Sequence, residues 1–184
     1  FTLFAFESIQ PFAIWLMIAG LISEVYGALM ALAEREIKRI IAYSSVSQMG
    51  YILFGLGTLT LRGMQGAVMH VVYHAIVKAL LFMVVGIIIL VTRERDIRNV
   101  SGLGSKLPIL TVCAAIGVLG ISGMPPLGIF NSEWMIFAGG FDSGVSIVLT
   151  VMTLIGSLLT LVYGLRFFGK IFFCAQKPET LPEK

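Results

Sequence analysis

The stretch MHVVYHAIVKALLF, Met69–Phe82, sets His70, His74 and Lys78 at successive four-residue steps inside an otherwise apolar run from Gly66 to Val91. In a helix that spacing puts all three on one face, with roughly 12 Å from first to last at about 1.5 Å per residue. The run is long enough to cross a bilayer, and the lysine falls near its middle. A charge at that depth costs several kcal/mol, so Lys78 is expected to face a wet or polar interior and to carry work there. The structural alternatives are a buried ion pair or a lysine that snorkels to the interface. Two histidines stacked beneath the lysine favour a proton relay.

The rest of the composition agrees with a membrane setting. Of the 184 residues, 58% are hydrophobic and 12% charged, where a soluble domain carries about 25% charged residues. Mean hydropathy is +0.96. This describes an all-α polytopic membrane protein. No basic stripe lies outside membrane-flanking loops, so nucleic acid is not an expected partner. Cys113, within a span, and Cys174, in the tail, make neither a disulfide framework nor an iron–sulfur or zinc site. No cofactor or metal is therefore expected in this chain. Phe1 opens inside an apolar stretch with no initiator methionine and no signal-peptide layout, which reads as a fragment or one piece of a split subunit.

Five spans are expected in a single membrane domain over residues 1–173, at about 9–33, 40–61, 66–91, 107–141 and 145–173, followed by a polar tail at 174–184. The first carries Glu24 near mid-depth, either a functional carboxylate, a partner for Lys78 or a protonated packing residue. The second carries Ser44, Ser47, Gln48 and Tyr51 along one stripe, which either binds a neighbouring helix or borders a hydrated path. The fourth is too long for one straight span, at about 50 Å against a hydrocarbon core of roughly 30 Å, and too short for two. Its centre, Ser122–Gly123–Met124–Pro125–Pro126–Leu127–Gly128, must stop a helix. A span broken at 122–128 is the economical solution, and broken spans are strong pointers to a transport site. Glu133 falls in the first turns of the second half, where it either meets a helix dipole or acts as a protonatable group.

Charge sets the orientation. Arg35, Lys38, Arg39, Arg93, Arg95, Arg98, Lys106, Arg166, Lys170, Lys177 and Lys184 all fall on one side, leaving only Arg62 opposite and Lys78 buried. The positive-inside rule puts that side in the cytoplasm.

Taken together, Glu36–Tyr51 (EIKRIIAYSSVSQMGY), HVVYHAIVKALLF, the GLGSKLP loop and GMPPLGIFNSEWMIF resemble four signature segments, in the same order, of one family. It comprises the antiporter-like membrane subunits of respiratory complex I, of membrane-bound hydrogenases and of multisubunit cation/proton antiporters. The resemblance implies a fourteen-helix subunit of two inverted five-helix repeats, with this chain matching helices nine to thirteen. It implies that Glu133 corresponds to the terminal protonatable residue on the broken helix, Lys78 to the central lysine of a half-channel, and His70 and His74 to the histidines that precede it. Glu36 stands where aspartate is usual and Gln48 where histidine is common; Glu24 has no usual counterpart.

The function that follows is a proton-translocating half-channel of a redox-driven pump, of NADH–quinone oxidoreductase or membrane-bound hydrogenase type. Protons would run along His70, His74 and Lys78 to Glu133, with Glu24, Ser44, Ser47 and Gln48 bordering the path. Expected partners are H+, lipid, other membrane subunits including the missing first repeat, and soluble redox subunits holding iron–sulfur clusters with a flavin or a nickel–iron centre. The expected location is the cell membrane of a prokaryote rather than the mitochondrial inner membrane. Two other readings stay open. One is Na+/H+ exchange without a redox partner, the carboxylates and hydroxyls serving as hard-cation ligands. The other is a scaffold that transports nothing, which leaves a costly polar line in lipid unexplained.

Overall fold

A computed structural model describes the backbone of residues 2–174 and the side chains from Pro11 onward. The tail beyond Cys174, with Lys177 and Lys184, lies outside the described residues. The architecture is all-helical: α1 (Thr2–Ala33), α2 (Ile37–Gly57), α3 (Leu61–Thr92), α4 (Pro108–Ile121), α5 (Gly128–Asp142) and α6 (Ile147–Phe168), which runs on into a π-helical turn, Gly169–Phe173. Among the described residues, four helices are long and apolar enough to cross a membrane: Pro11–Ala33 within α1, α2, α3, and α6 with its π turn. The remaining two, of 14 and 15 residues, are about 21 and 22 Å long. Neither crosses a core of roughly 30 Å alone, and in series they make one broken span.

α3 is 32 residues long and begins at Leu61, earlier than the apolar run suggests. Thr60 explains the difference, because its hydroxyl accepts from Gly63 N at 3.1 Å and caps the extra turn. Arg62 therefore sits in the first turn of α3, where it bonds Asp142 at the end of α5 across 3.1 Å. That pair lies on the face opposite the basic one. On the basic face, Ile37 N donates to Arg95 O and Ile97 N to Arg35 O, both at 2.9 Å, forming an isolated antiparallel bridge between Glu36 and Asp96. Hydrogen bonds from the Arg98 side chain and backbone hold the Asp96 carboxyl down at about 2, so this corner stays charged at neutral pH. Leu103 N and Gly104 N donate to Ile171 O and Phe172 O, each at 3.1 Å. Two loops and the end of α6 thus form one lacing on the basic side.

α1 and α2 pack backbone to backbone. A Cβ placed on Gly50 would stand 2.5 Å from both Glu24 N and Gly20 O, and one on Gly20 would stand 2.6 Å from Phe54 N. Glycine is needed here for close approach, as in membrane helix pairs generally. Gly50→Ala is expected to force this seam apart and to abolish recovery of monodisperse protein in mild detergent, read by size-exclusion chromatography.

The interior divides along the membrane normal. One apolar cluster, including Ile37, Ile41, Leu81, Val85, Ala114 and Phe167, fills the half nearer the basic loops. A smaller one, with Met17, Tyr51, Phe54, Ile136 and Phe137, sits towards the other side. Between them lie Glu24, Ser44, Ser47, Gln48, His70, His74, Lys78, Ser132 and Glu133, all buried. Outward faces carry large apolar side chains such as Ile22, Val72, Ile76 and Leu158, as a lipid-facing surface requires.

Candidate functional site

The period of α3 delivers His70, His74 and Lys78 to one face, and α2 meets that face with its own polar stripe. The two lines run antiparallel, so Ser44 stands against Lys78 and Gln48 against His70. Lys78 Nζ donates to Ile41 O at 2.7 Å and to Ser44 Oγ at 2.5 Å. The Ser44 hydroxyl in turn donates to the same carbonyl at 2.9 Å. Both partners of the lysine are neutral acceptors. An ammonium has three hydrogens to donate and a neutral amine two, so both anchors survive loss of a proton. Lys78 can discharge without letting go.

His70 is clamped at both ring nitrogens. Nε2 meets Gln48 Oε1 at 2.9 Å, and Nδ1 meets Ser132 Oγ at 3.0 Å. The Gln48 amide nitrogen points to the carbonyl of Ile121, the last residue of α4, at 3.5 Å, which turns the amide oxygen towards the ring. An amide oxygen only accepts, so Nε2 carries a hydrogen. The Ser132 hydroxyl also reaches Ile129 O at 2.8 Å. With a neutral ring that hydroxyl donates to Nδ1. With a charged ring Nδ1 donates, and the hydroxyl swings to the Ile129 carbonyl. Both protonation states of His70 therefore find a full set of partners.

His74 links these two positions. Its ring stacks on that of His70, with centroids 6.2 Å apart and planes 16° from parallel, and its Nε2 is buried without a protein partner. The Tyr51 ring lies 5.6 Å from that of His70 on the other side. Ser47 is buried with its hydroxyl unpartnered, beside the line and not bonded to it.

Glu133 is carried by the second half-helix. α4 ends in a Schellman turn: Gly123 N donates to Gly120 O and Met124 N to Leu119 O, both at 3.2 Å, with Gly123 at φ 62°. A Cβ on Gly123 would run into the Glu133 carboxylate, so this glycine supplies both the left-handed turn and the space for the acid. α5 then lies close against α3. A Cβ on Gly66 would stand 2.9 Å from Ser132 O and Ile136 N, and one on Gly139 2.6 Å from the Gly63 Cα. That approach is what brings Ser132 to His70. Glu133 Oε1 is buried without a protein hydrogen bond.

Of the residues singled out from sequence, the structure joins Lys78 to Ser44 and His70 to Gln48, and it stacks His74 on His70. Glu133 sits one residue from the serine that holds His70, while Glu24, on α1, hydrogen-bonds to none of these residues. Sequence reasoning missed Ser132. A serine directly before a candidate proton carrier, on the same short half-helix, was the available signal for it. Gly123 was legible as part of the break, but not as the residue that makes room for the Glu133 carboxylate.

The arrangement can pass a proton between groups that keep their hydrogen bonds in either state. Comparison with known proteins bears on what such a site does. Residues 1–160 match the family model described as NADH:quinone oxidoreductase/Mrp antiporter, TM. Over 181 residues the chain is 36% identical to the NAD(P)H-quinone oxidoreductase chain 4 of Marchantia polymorpha chloroplasts, covering 92% of this chain and 35% of that protein. It is 31% identical to NADH-quinone oxidoreductase subunit M of Rickettsia felis, covering 88% of this chain and 32% of the relative. The structure superposes on a chain of the Mrp complex from Dietzia sp. with a TM-score of 0.87 and 28% identity, covering 95% of this chain and 33% of that one. The chain thus spans about a third of the length of the relatives it matches.

Proposed function

Because the chain belongs to the NADH:quinone oxidoreductase/Mrp antiporter membrane family, we propose that it is a proton-translocating half-channel of a redox-driven, complex I-related pump in a prokaryotic plasma membrane. One observation carries the reading: His70 and Lys78 are each held by groups that stay bonded whether or not the proton is present. A structural ion pair has no use for that tolerance. Protons run along His70, His74 and Lys78 and reach Glu133 through the polar layer shared by α2, α3 and α5. Electron transfer belongs to partner subunits, whose iron–sulfur clusters with a flavin or a nickel–iron centre supply the driving step. Further membrane subunits complete the path, including the counterpart of the first repeat.

The direct test uses inverted membrane vesicles carrying the native complex and a pH-sensitive dye. Proton uptake is expected to need an electron donor and to persist without sodium. Uptake that ignores the donor and follows a sodium gradient would overturn the redox reading. The likeness to the Mrp complex keeps that second reading, sodium/proton exchange, in view. It would use Glu133, Ser44 and Ser47 as oxygen ligands.

Ser132 gives a finer prediction. Ser132→Ala removes the partner of His70 Nδ1, leaving a buried ring nitrogen unpaired, a defect of about 1–3 kcal/mol. Proton movement is expected to fall roughly tenfold, with Ser132→Thr restoring most of it because the hydroxyl returns. Equal rates for alanine and threonine variants would remove Ser132 from the route.

A further inference from the structure

Glu24 takes no part in the route described above, yet it is among the most completely enclosed polar residues in the bundle, with 0% exposure. It stands on α1 against two glycines. The Gly50 backbone on α2 presses on its amide, and a Cβ on Gly156 of α6 would run into its Oε1. Neither carboxylate oxygen makes a protein hydrogen bond of ordinary length. The same holds for Ser47 Oγ, Tyr51 Oη, Thr160 Oγ1, Tyr163 Oη and Glu133 Oε1, all buried. These atoms belong to one neighbourhood. Tyr51 follows Gly50, whose backbone touches Glu24, and its ring lies 6.2 Å from that of Phe137, one turn along α5 from Glu133; Tyr51 and Tyr163 both lie within electrostatic range of the two acids.

Polar atoms in a membrane interior are costly when left unsatisfied. Contacts beyond roughly 3.5 Å between such groups are the ones a bridging water closes. Two carboxylates buried in one polar layer are held there at lowest cost when at least one carries a proton. Gly156 also lines a groove of about 240 Å³ in the α1–α6 seam, with Leu21, Val25, Met152, Ile155 and Leu159. Gly156 therefore borders both the Glu24 carboxylate and that groove.

We propose that Glu24 is a second proton-holding carboxylate, joined to Glu133 through the Tyr51 hydroxyl and bridging water, so that the route turns from α5 across α2 to the α1–α6 seam. Glu133 gives up one proton and Glu24 takes one. Tyr51 accepts on its oxygen as it releases its own hydrogen, and no other bond changes. This rests on the proton-translocating reading above.

The test is made in the intact complex reconstituted in liposomes, with Glu24→Gln, Glu24→Asp and Glu133→Gln side by side. Glu24→Gln is expected to slow proton movement tenfold or more, with Glu24→Asp recovering at least a third of the rate. A wild-type rate in Glu24→Gln beside an inactive Glu133→Gln would overturn the Glu24 assignment and leave the main route standing. Wild-type rates in both would overturn the main route itself. Infrared difference spectra of the unmutated complex, with carbon-13 glutamate, avoid any folding defect. Two protonated-carboxyl bands are expected to change on turnover, one of them lost in Glu24→Gln where that variant assembles. A single band, removed entirely by Glu133→Gln, would sink the proposal.

Discussion

Lys78→Ala is expected to abolish redox-driven proton movement while leaving the complex assembled. The fold should tolerate the change, because the Ser44 hydroxyl keeps its own bond to Ile41 O when the amine is gone. Removing a buried amine that meets only neutral acceptors also strands no opposite charge. The loss is therefore one of chemistry. A positioned proton-transfer group is typically worth about a hundredfold or more in rate, and residual movement of about 1% is the expected ceiling. Lys78→Arg sharpens the result. Arginine keeps the positive charge and can reach the same acceptors, but it does not give up its proton. If Lys78 serves as a fixed charge, arginine rescues; if it serves as a relay, both variants are inactive. Dye-reported acidification in proteoliposomes, normalised to electron-transfer rate, separates the two. A scaffold without transport would show no effect of either substitution.

Glu133→Gln is the second large effect. Glutamine has nearly the shape of glutamate, fits beside Gly123, and carries no exchangeable acid proton. Proton movement is expected to fall to background, with the detergent-solubilised complex unchanged in size. Glu133→Asp retains the acid but withdraws it by one methylene from its place against Gly123, so an intermediate rate is expected. Normal pumping by Glu133→Gln would remove the broken helix from the route. The same experiment on Lys78 would then show whether the upstream line works without it.

Much of this was written in the local pattern. The four-residue steps of His70, His74 and Lys78 fix a common face by helix geometry alone, and the Ser44–Tyr51 stripe does the same on α2. Two prolines and two glycines in Ser122–Gly128 force a break that the length of the apolar run already demanded. What could not be read were the pairings across helices. That Lys78 reaches past Ser44 to the Ile41 carbonyl depends on how α2 and α3 are rotated, which periodicity leaves free. Ser132 was hidden for the same reason, since its value comes from the close approach of α5 to α3 at Gly66 and Gly63. Glu24 was visible as a buried acid, but its neighbours come from α2, α5 and α6 at once. The extra turn of α3 was missed because apolar content marks what lies in lipid, while the Thr60 cap marks where the helix begins.

The glycine seam between α1 and α2 has a consequence for how the chain is made. α2 is the least apolar of the long spans and the one most enclosed by its neighbours. A segment of that kind partitions poorly from the translocon into lipid by itself. It is joined to α1 by nothing longer than Glu34–Glu36, and α1 leaves the ribosome first. The smooth track at Gly20 and Gly27 is then waiting in the bilayer when α2 emerges, so the two spans enter as a hairpin. The residues that let backbones touch in the finished protein are, during synthesis, the landing strip for its most reluctant helix.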